Sequence, residues 1–265
     1  MAISFQYLGY THTALGNLDK ALRFYEEYNK LEKLLFAADP NIVDFKNNLA
    51  GSFQLLGNVQ TSLGNLDKSL GFYEEYNTLE KQLFEAYPNN VEFKNSLAIS
   101  FGKLGETHTS LSNLDRAFEY YKEFNKLEKE LYLANPKNVE CKCQLAISNC
   151  KLGMINLVLS NNLESVKNFD EFKIISDELL KEFPTNLQNQ YLSAKALAIH
   201  ACMSNILSKK ANAEGLLKAK ETFHSLFIQT KNVGYKTQED IVDKMLLPNS
   251  DLKQLVIEIS MLIED

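Results

Sequence analysis

A chain of 265 residues with 45% hydrophobic content can bury a sizeable core, and its net charge of -6 argues against the clustered Lys and Arg that a nucleic-acid surface needs. No apolar run approaches bilayer-spanning length, and the opening MAISFQYLGY lacks a basic segment followed by an apolar one, so neither a membrane partner nor a secretory leader is expected. Cys141, Cys143, Cys150 and Cys202 do not recur at matching positions and fit reduced thiols better than a disulfide framework, which completes the expectation of a soluble, cytoplasmic chain.

The first predicted element is half of a longer pattern. Residues 1–5 (MAISF) align with 49–53 (LAGSF) and 97–101 (LAISF), but no counterpart of NNVEFKNS precedes them. The chain is therefore expected to be a fragment of a longer array, with an uncapped apolar end through which it could self-associate. The theme GNLDKALRFYEEYN at 16–29 then returns at 64–77 and, altered, at 112–125. Leu-Gly pairs at 8–9, 56–57, 104–105 and 152–153 step by 48 residues, as do Pro40, Pro88, Pro136 and Pro184. A fixed period of this size marks stacked supersecondary units that cannot bury their apolar faces alone.

Within one period, Leu49, Phe53, Leu56 and Leu63 lie on one face of a helix predicted over 43–63, started by Pro40-Asn41 and stopped by Gly64-Asn65. A second helix over 66–86 carries Leu70, Tyr73, Tyr76, Leu79 and Leu83, with Asn65 as its expected N-cap and Asp67 in its first turn. No segment alternates as a strand would, so the chain is all-α. Gly9, Gly57, Gly105 and Gly153 fall inside helices, where glycine costs about 1 kcal/mol relative to alanine. Something must approach them closely. The expected neighbour is the small residue of the following helix (Ala21, Ser69, Ala117, Ser165), with Tyr25, Tyr73, Tyr121 and Phe169 beside it.

Phe53, Leu56, Gly57, Ser69 and Tyr73, with their equivalents in neighbouring units, resemble the tetratricopeptide repeat (TPR). The resemblance covers roughly residues 1–230 and implies a right-handed α-solenoid of antiparallel helix hairpins. Two features depart from the family: the period is 48 instead of about 34, and Tyr28, Tyr76, Phe124 and Phe172 stand where a small residue is usual. Such long-helix repeats resemble those of bacterial multidomain signalling proteins. The fourth unit loses the GNLDK turn to SNNLE at 160–164, and a fifth, about 188–230, keeps only the shape, with Ala201 in the glycine's place. Residues 231–265 are expected to form a C-terminal cap of two shorter helices, one started by Thr237 and ended near Leu247-Pro248, the other started by Ser250.

No residue set builds an active site. His12 and His108 share a repeat position with Gln60 between them and read as packing histidines. Cys141 and Cys143 point to opposite sides of a helix, so no metal is expected, and no glycine-rich phosphate loop is present. Neither an enzyme nor a cofactor is anticipated.

The TPR resemblance implies that first helices line a concave groove. On this chain the lining would be Gln6, Tyr10 and Thr13; Asn47, Gln54, Asn58 and Thr61; Asn95, Glu106 and Thr109; and Ile147, Cys150 and Met154. In the second unit, charge concentrates on the other helix (Asp67, Lys68, Glu74, Glu75, Glu80, Lys81, Glu85), the expected outer face. A lining of amides and hydroxyls, without Lys or Arg to clamp a carboxylate, suits a protein or peptide partner, with an apolar anchor at the fourth unit. The expected function is a non-catalytic binding scaffold. The alternative is the sensor or regulatory arm of a larger bacterial signalling protein with an ATPase or protease effector.

Overall fold

The computed structural model describes residues 2–208 and 213–246, side chains of 202–208 and 213 excepted. All regular structure among them is α-helical. Eleven helices follow one another: α1 (Ala2–Ala14), α2 (Leu18–Ala38), α3 (Val43–Ser62), α4 (Leu66–Ala86), α5 (Val91–Ser110), α6 (Leu114–Ala134), α7 (Val139–Val158), α8 (Asn162–Glu182), α9 (Leu187–Ser208), α10 (Ala213–Thr230) and α11 (Val233–Met245). The chain divides into two compact units, Met1–Leu127 and Glu128–Asp265. In each, helices pack on their sequence neighbours: α1 on α2, α2 on α3, α3 on α4 and α4 on α5 in the first, and α7 through α11 in the same consecutive way in the second. Short connections between long amphipathic helices leave little choice of partner.

Inside a hairpin, the close approach to the helical glycine comes from an aromatic ring. A Cβ on Gly57 would lie 2.4 Å from Tyr73 Cε1, and one on Gly9 2.2 Å from Tyr25 Cε1. Gly105 meets Tyr121 and Gly153 meets Phe169 in the same way. This corrects the expectation that the small residue is the intruder. Ser69 and Ser165 instead donate their hydroxyls to the carbonyls of Gly57 and Gly153 at 3.0 and 2.9 Å, tying the two helices by a polar bond beside the ring.

The hairpin turns explain two further sequence features. Gly16 and Gly64 have φ of 71° and 76°, and the same turn in later units puts Ser112 and Ser160 at 59° and 63°, a left-handed conformation that serine adopts at a cost. Asn65 stands at the N-cap position, yet its side chain makes no capping bond; it donates to Gln60 Oε1 at 2.8 Å. Asn161 repeats this with Asn156 at 3.2 Å, and Asn113 lies 3.5 Å from His108 Nδ1. Position 60 and its equivalents thus hold an amide or an imidazole, which is why His108 and Gln60 exchange. His12 and His108 also stack on Phe24 and Tyr120, with ring centroids 5.3 Å apart in both pairs.

Between consecutive hairpins of the first unit, a polar joint recurs. Asn29 Nδ2 donates to Ser52 Oγ at 2.8 Å and Asn77 Nδ2 to Ser100 Oγ at 2.7 Å, all four residues buried. Next to the joint, Tyr76 donates its hydroxyl to the Ser96 carbonyl at 3.1 Å. Three glutamates also recur in the interior: Glu32, Glu80 and Glu128 are 2%, 2% and 0% exposed. One oxygen each of Glu32 and Glu80, and both of Glu128, lack a hydrogen-bond partner among the described residues. Placing Glu80 on the charged outer face was therefore wrong. Desolvation raises the pKa of all three carboxyls, to about 8 for Glu80 and Glu128.

At the C-terminal end, α11 begins four residues earlier than expected. Asn232 accepts from the Gly234 amide at 2.9 Å and caps the helix, whereas Thr237 sits within it and donates to the Val233 carbonyl at 3.2 Å. The helix expected from Ser250 onward lies outside the described residues.

Candidate functional site: a polar cleft at the hairpin tips

In the first unit a cleft of about 320 Å³ opens between α3 and α5, with Tyr73 of α4 as its inner wall. Asn58, Thr61 and Ser62 of α3 face Lys103, Glu106, Thr107 and Ser110 of α5 across it. Three of the residues expected from the sequence, Asn58, Thr61 and Glu106, are thereby brought together.

Tyr73 organises the α3 side. Its hydroxyl donates to Asn58 Oδ1 at 2.8 Å and lies 3.4 Å from Thr61 Oγ1, which in turn is 2.6 Å from Ser69 Oγ. Thr61 also donates to the Gly57 carbonyl at 3.0 Å, the back-bond that holds its rotamer. Burial pushes the Tyr73 hydroxyl up from its ordinary pKa, so it stays a neutral donor. With its carboxamide oxygen occupied by Tyr73, Asn58 keeps an amide group that makes no hydrogen bond among the described residues. The tether recurs: Thr13 Oγ1 is 3.2 Å from Tyr25 Oη, and Thr109 Oγ1 donates to Tyr121 Oη at 3.4 Å. In the fourth hairpin both partners change together, to Leu157 and Phe169, and both are buried.

On the α5 side, Lys103 Nζ lies 3.3 Å from Glu106 Oε2 in a half-exposed pair. Burial pulls the Lys103 ammonium down, but Glu106 and Tyr73 outweigh it and leave the pKa raised. The expectation of a lining without a cation fails here. Lys103 recurs as Lys151 but not in the first two units, where Tyr7 and Leu55 take its place, so the cation is not a constant of the repeat. Tyr73 escaped notice because its aromatic ring already had a packing role. The one usable signal was the Thr–Tyr spacing shared by 13/25, 61/73 and 109/121.

The remaining expected residues lie elsewhere. On α1, Gln6 donates to Tyr10 Oη at 3.3 Å, and Tyr10 packs edge-on against Tyr25 with centroids 6.0 Å apart. Asn47 is exposed, Gln54 and Asn95 are half-buried, and none of the three lines the cleft. The apolar group is corrected outright as an open surface. Cys150 and Met154 are 5% and 8% exposed within the core of the second unit, which also contains Leu192, Ala196 and Ile199 of α9, and Ile147 packs against the same core. Apolar residues on this face are used up by the next helix, and burial pushes the Cys150 thiol pKa up.

No family model matches the chain, and no curated protein matches it. Its fold, in contrast, is shared with solved repeat proteins. The apo form of RapI superposes over 99% of this chain and 82% of its own, with a TM-score of 0.63 at 10% identity. A putative kinesin light chain with nearly identical TPR-like repeats from Podosopora anserina matches 86% of this chain and 95% of its own, with a TM-score of 0.58 at 14% identity. The Rap conjugation gene regulator of plasmid pLS20, in complex with the Phr* peptide, matches 98% of this chain and 62% of its own, with a TM-score of 0.58 at 17% identity. At these identities the likeness establishes the fold: an all-α, TPR-like solenoid of helix hairpins.

Proposed function

We propose that the chain is a non-catalytic scaffold that binds a peptide or an extended protein segment across the first helices of its hairpins. The observation that carries the reading is the cleft between α3 and α5. There Asn58, its oxygen fixed by Tyr73, offers its amide beside the hydroxyls of Thr107 and Ser110 and the Lys103–Glu106 pair. Donors and acceptors spaced along a groove, with one charge of each sign, match peptide backbone and polar side chains. The Phr* peptide bound by the pLS20 regulator, a protein of the same fold, supports a peptide as the class of partner. In this reading residues 1–230 form the repeat array, a long-helix variant with a 48-residue period, and 231–265 cap it. Gln6, Tyr10, Thr13, Asn47, Gln54, Asn95 and Thr109 extend the lining on either side of the cleft.

The test is peptide selection by display on the purified chain, followed by calorimetry. Selected peptides should bind Ser110→Arg and Glu106→Lys at least about 10-fold more weakly, a loss of about 1.4 kcal/mol, with helicity by circular dichroism unchanged. Undiminished affinity for both variants, or no selectable peptide, counts against the cleft.

A further inference from the structure

A second cleft, of about 530 Å³, lies within the second unit where α8, α9 and α10 meet. Its construction departs from the earlier joints at each polar position. The buried Asn29–Ser52 and Asn77–Ser100 bonds give way to Lys173 and Ala196, and the interior Glu32, Glu80 and Glu128 to Ser176. Leu49 and Phe53 of α3, and Leu97 and Phe101 of α5, become the smaller Ser193 and Leu197 of α9. Space once filled by a ring is open, and its walls carry charge.

That charge is cationic in a chain whose net charge is -6: Lys173, Lys181 and Lys218 border the cleft with a single carboxylate, Asp177. Asp177 is already satisfied, its Oδ2 2.6 Å from Lys173 Nζ and its Oδ1 accepting from Ser193 Oγ at 3.0 Å. The other polar groups are also engaged. Gln190 Nε2 donates to the Pro184 carbonyl at 2.8 Å and Thr222 Oγ1 to the Lys218 carbonyl at 3.1 Å. Lys181 and Lys218, both exposed, form no ion pair among the described residues, so two uncompensated ammonium groups belong to residues that line this space. The volume falls within the range of small-molecule sites.

We propose that this cleft binds a small dianion, either a dicarboxylate or a phosphoryl compound, between Lys181 and Lys218. Ammonium groups are point charges that accept either geometry, so the two sources share one recognition chemistry. The site is separate from the peptide cleft of the first unit and does not depend on that reading.

The experiment titrates the full chain with pyrophosphate and, separately, with succinate at low ionic strength, followed by calorimetry and by the melting temperature, which a ligand of the folded state raises. At least one of the two should bind, and the tighter one identifies the source. Lys181→Gln and Lys218→Gln, at exposed positions, should each weaken binding about 10-fold, whereas Lys68→Gln on α4 should leave it unchanged; circular dichroism confirms the fold of each. Failure of both anions to bind overturns the proposal. So does equal weakening by all three substitutions, which would mean adventitious ion pairing with surface lysines, or binding that survives loss of both cleft lysines.

Discussion

At Gly57 a single hydrogen decides whether a hairpin closes. Because a Cβ there would meet the Tyr73 ring at 2.4 Å, Gly57→Ala should destabilise the chain by about 1–3 kcal/mol in urea unfolding, the usual cost of overpacking. Gly71, in the exposed middle of α4, has nothing within 4 Å of where its Cβ would be. Gly71→Ala should therefore stabilise by up to about 1 kcal/mol through helix propensity alone. Opposite signs from the same substitution distinguish contact from conformational preference. The need for Gly57 was legible in the sequence as a costly residue kept inside a helix, but the identity of its neighbour was not. A helical pattern gives which face a side chain occupies; it does not give how far a ring reaches along the partner helix. For the same reason Asn58 and Thr61 could be placed on the lining, while the hydroxyl that fixes them, on Tyr73, stayed hidden behind a packing role.

Helices α2, α4 and α6 each bury a glutamate, and this gives the elements a pH dependence of unusual sign. Glu80 and Glu128 titrate at about 8 in the folded chain, from an ordinary 4.5, because burial penalises the charged form; Glu140 adds repulsion at Glu128. The folded state thus holds more protons than the unfolded one between those values, and stability falls as pH rises across the window. Below about 4.5 the penalty is absent, and above about 8 it is complete. Thermal melts at pH 5.5 and 8.5 should show the wild type losing stability toward the higher pH. The Glu80→Gln, Glu128→Gln double variant should lose distinctly less. An equal slope in both would mean that these carboxyls ionise freely. The helices themselves were readable from apolar spacing and punctuation: those predicted over 43–63 and 66–86 are observed within a residue of those bounds, whereas α11 starts four residues early. The burial of Glu80 was not readable, because charge normally marks the solvent side; only its recurrence at 32 and 128 pointed elsewhere. Likewise Cys150 and Met154 were recognisable as apolar, but whether α9 covers them depends on a contact between different helices.

At the scale of the whole molecule, the Asn–Ser joint makes neighbouring segments of the first unit interchangeable. Excising residues 43–90 would carry the chain from α2 through its own connecting turn directly into Val91, with Asn29 now opposite Ser100 and Leu97 and Phe101 in the places of Leu49 and Phe53. Each seam would find the kind of partner it already uses, since the strongest helix contacts among the described residues are between sequence neighbours. The shortened polypeptide should keep a helical spectrum and melt cooperatively, whereas cutting 43–66 alone, which splices α2 onto α4 and removes the serine acceptor, should not. An array assembled this way can lengthen or contract by recombination within a gene without renegotiating its interior, and its length becomes an inheritable variable.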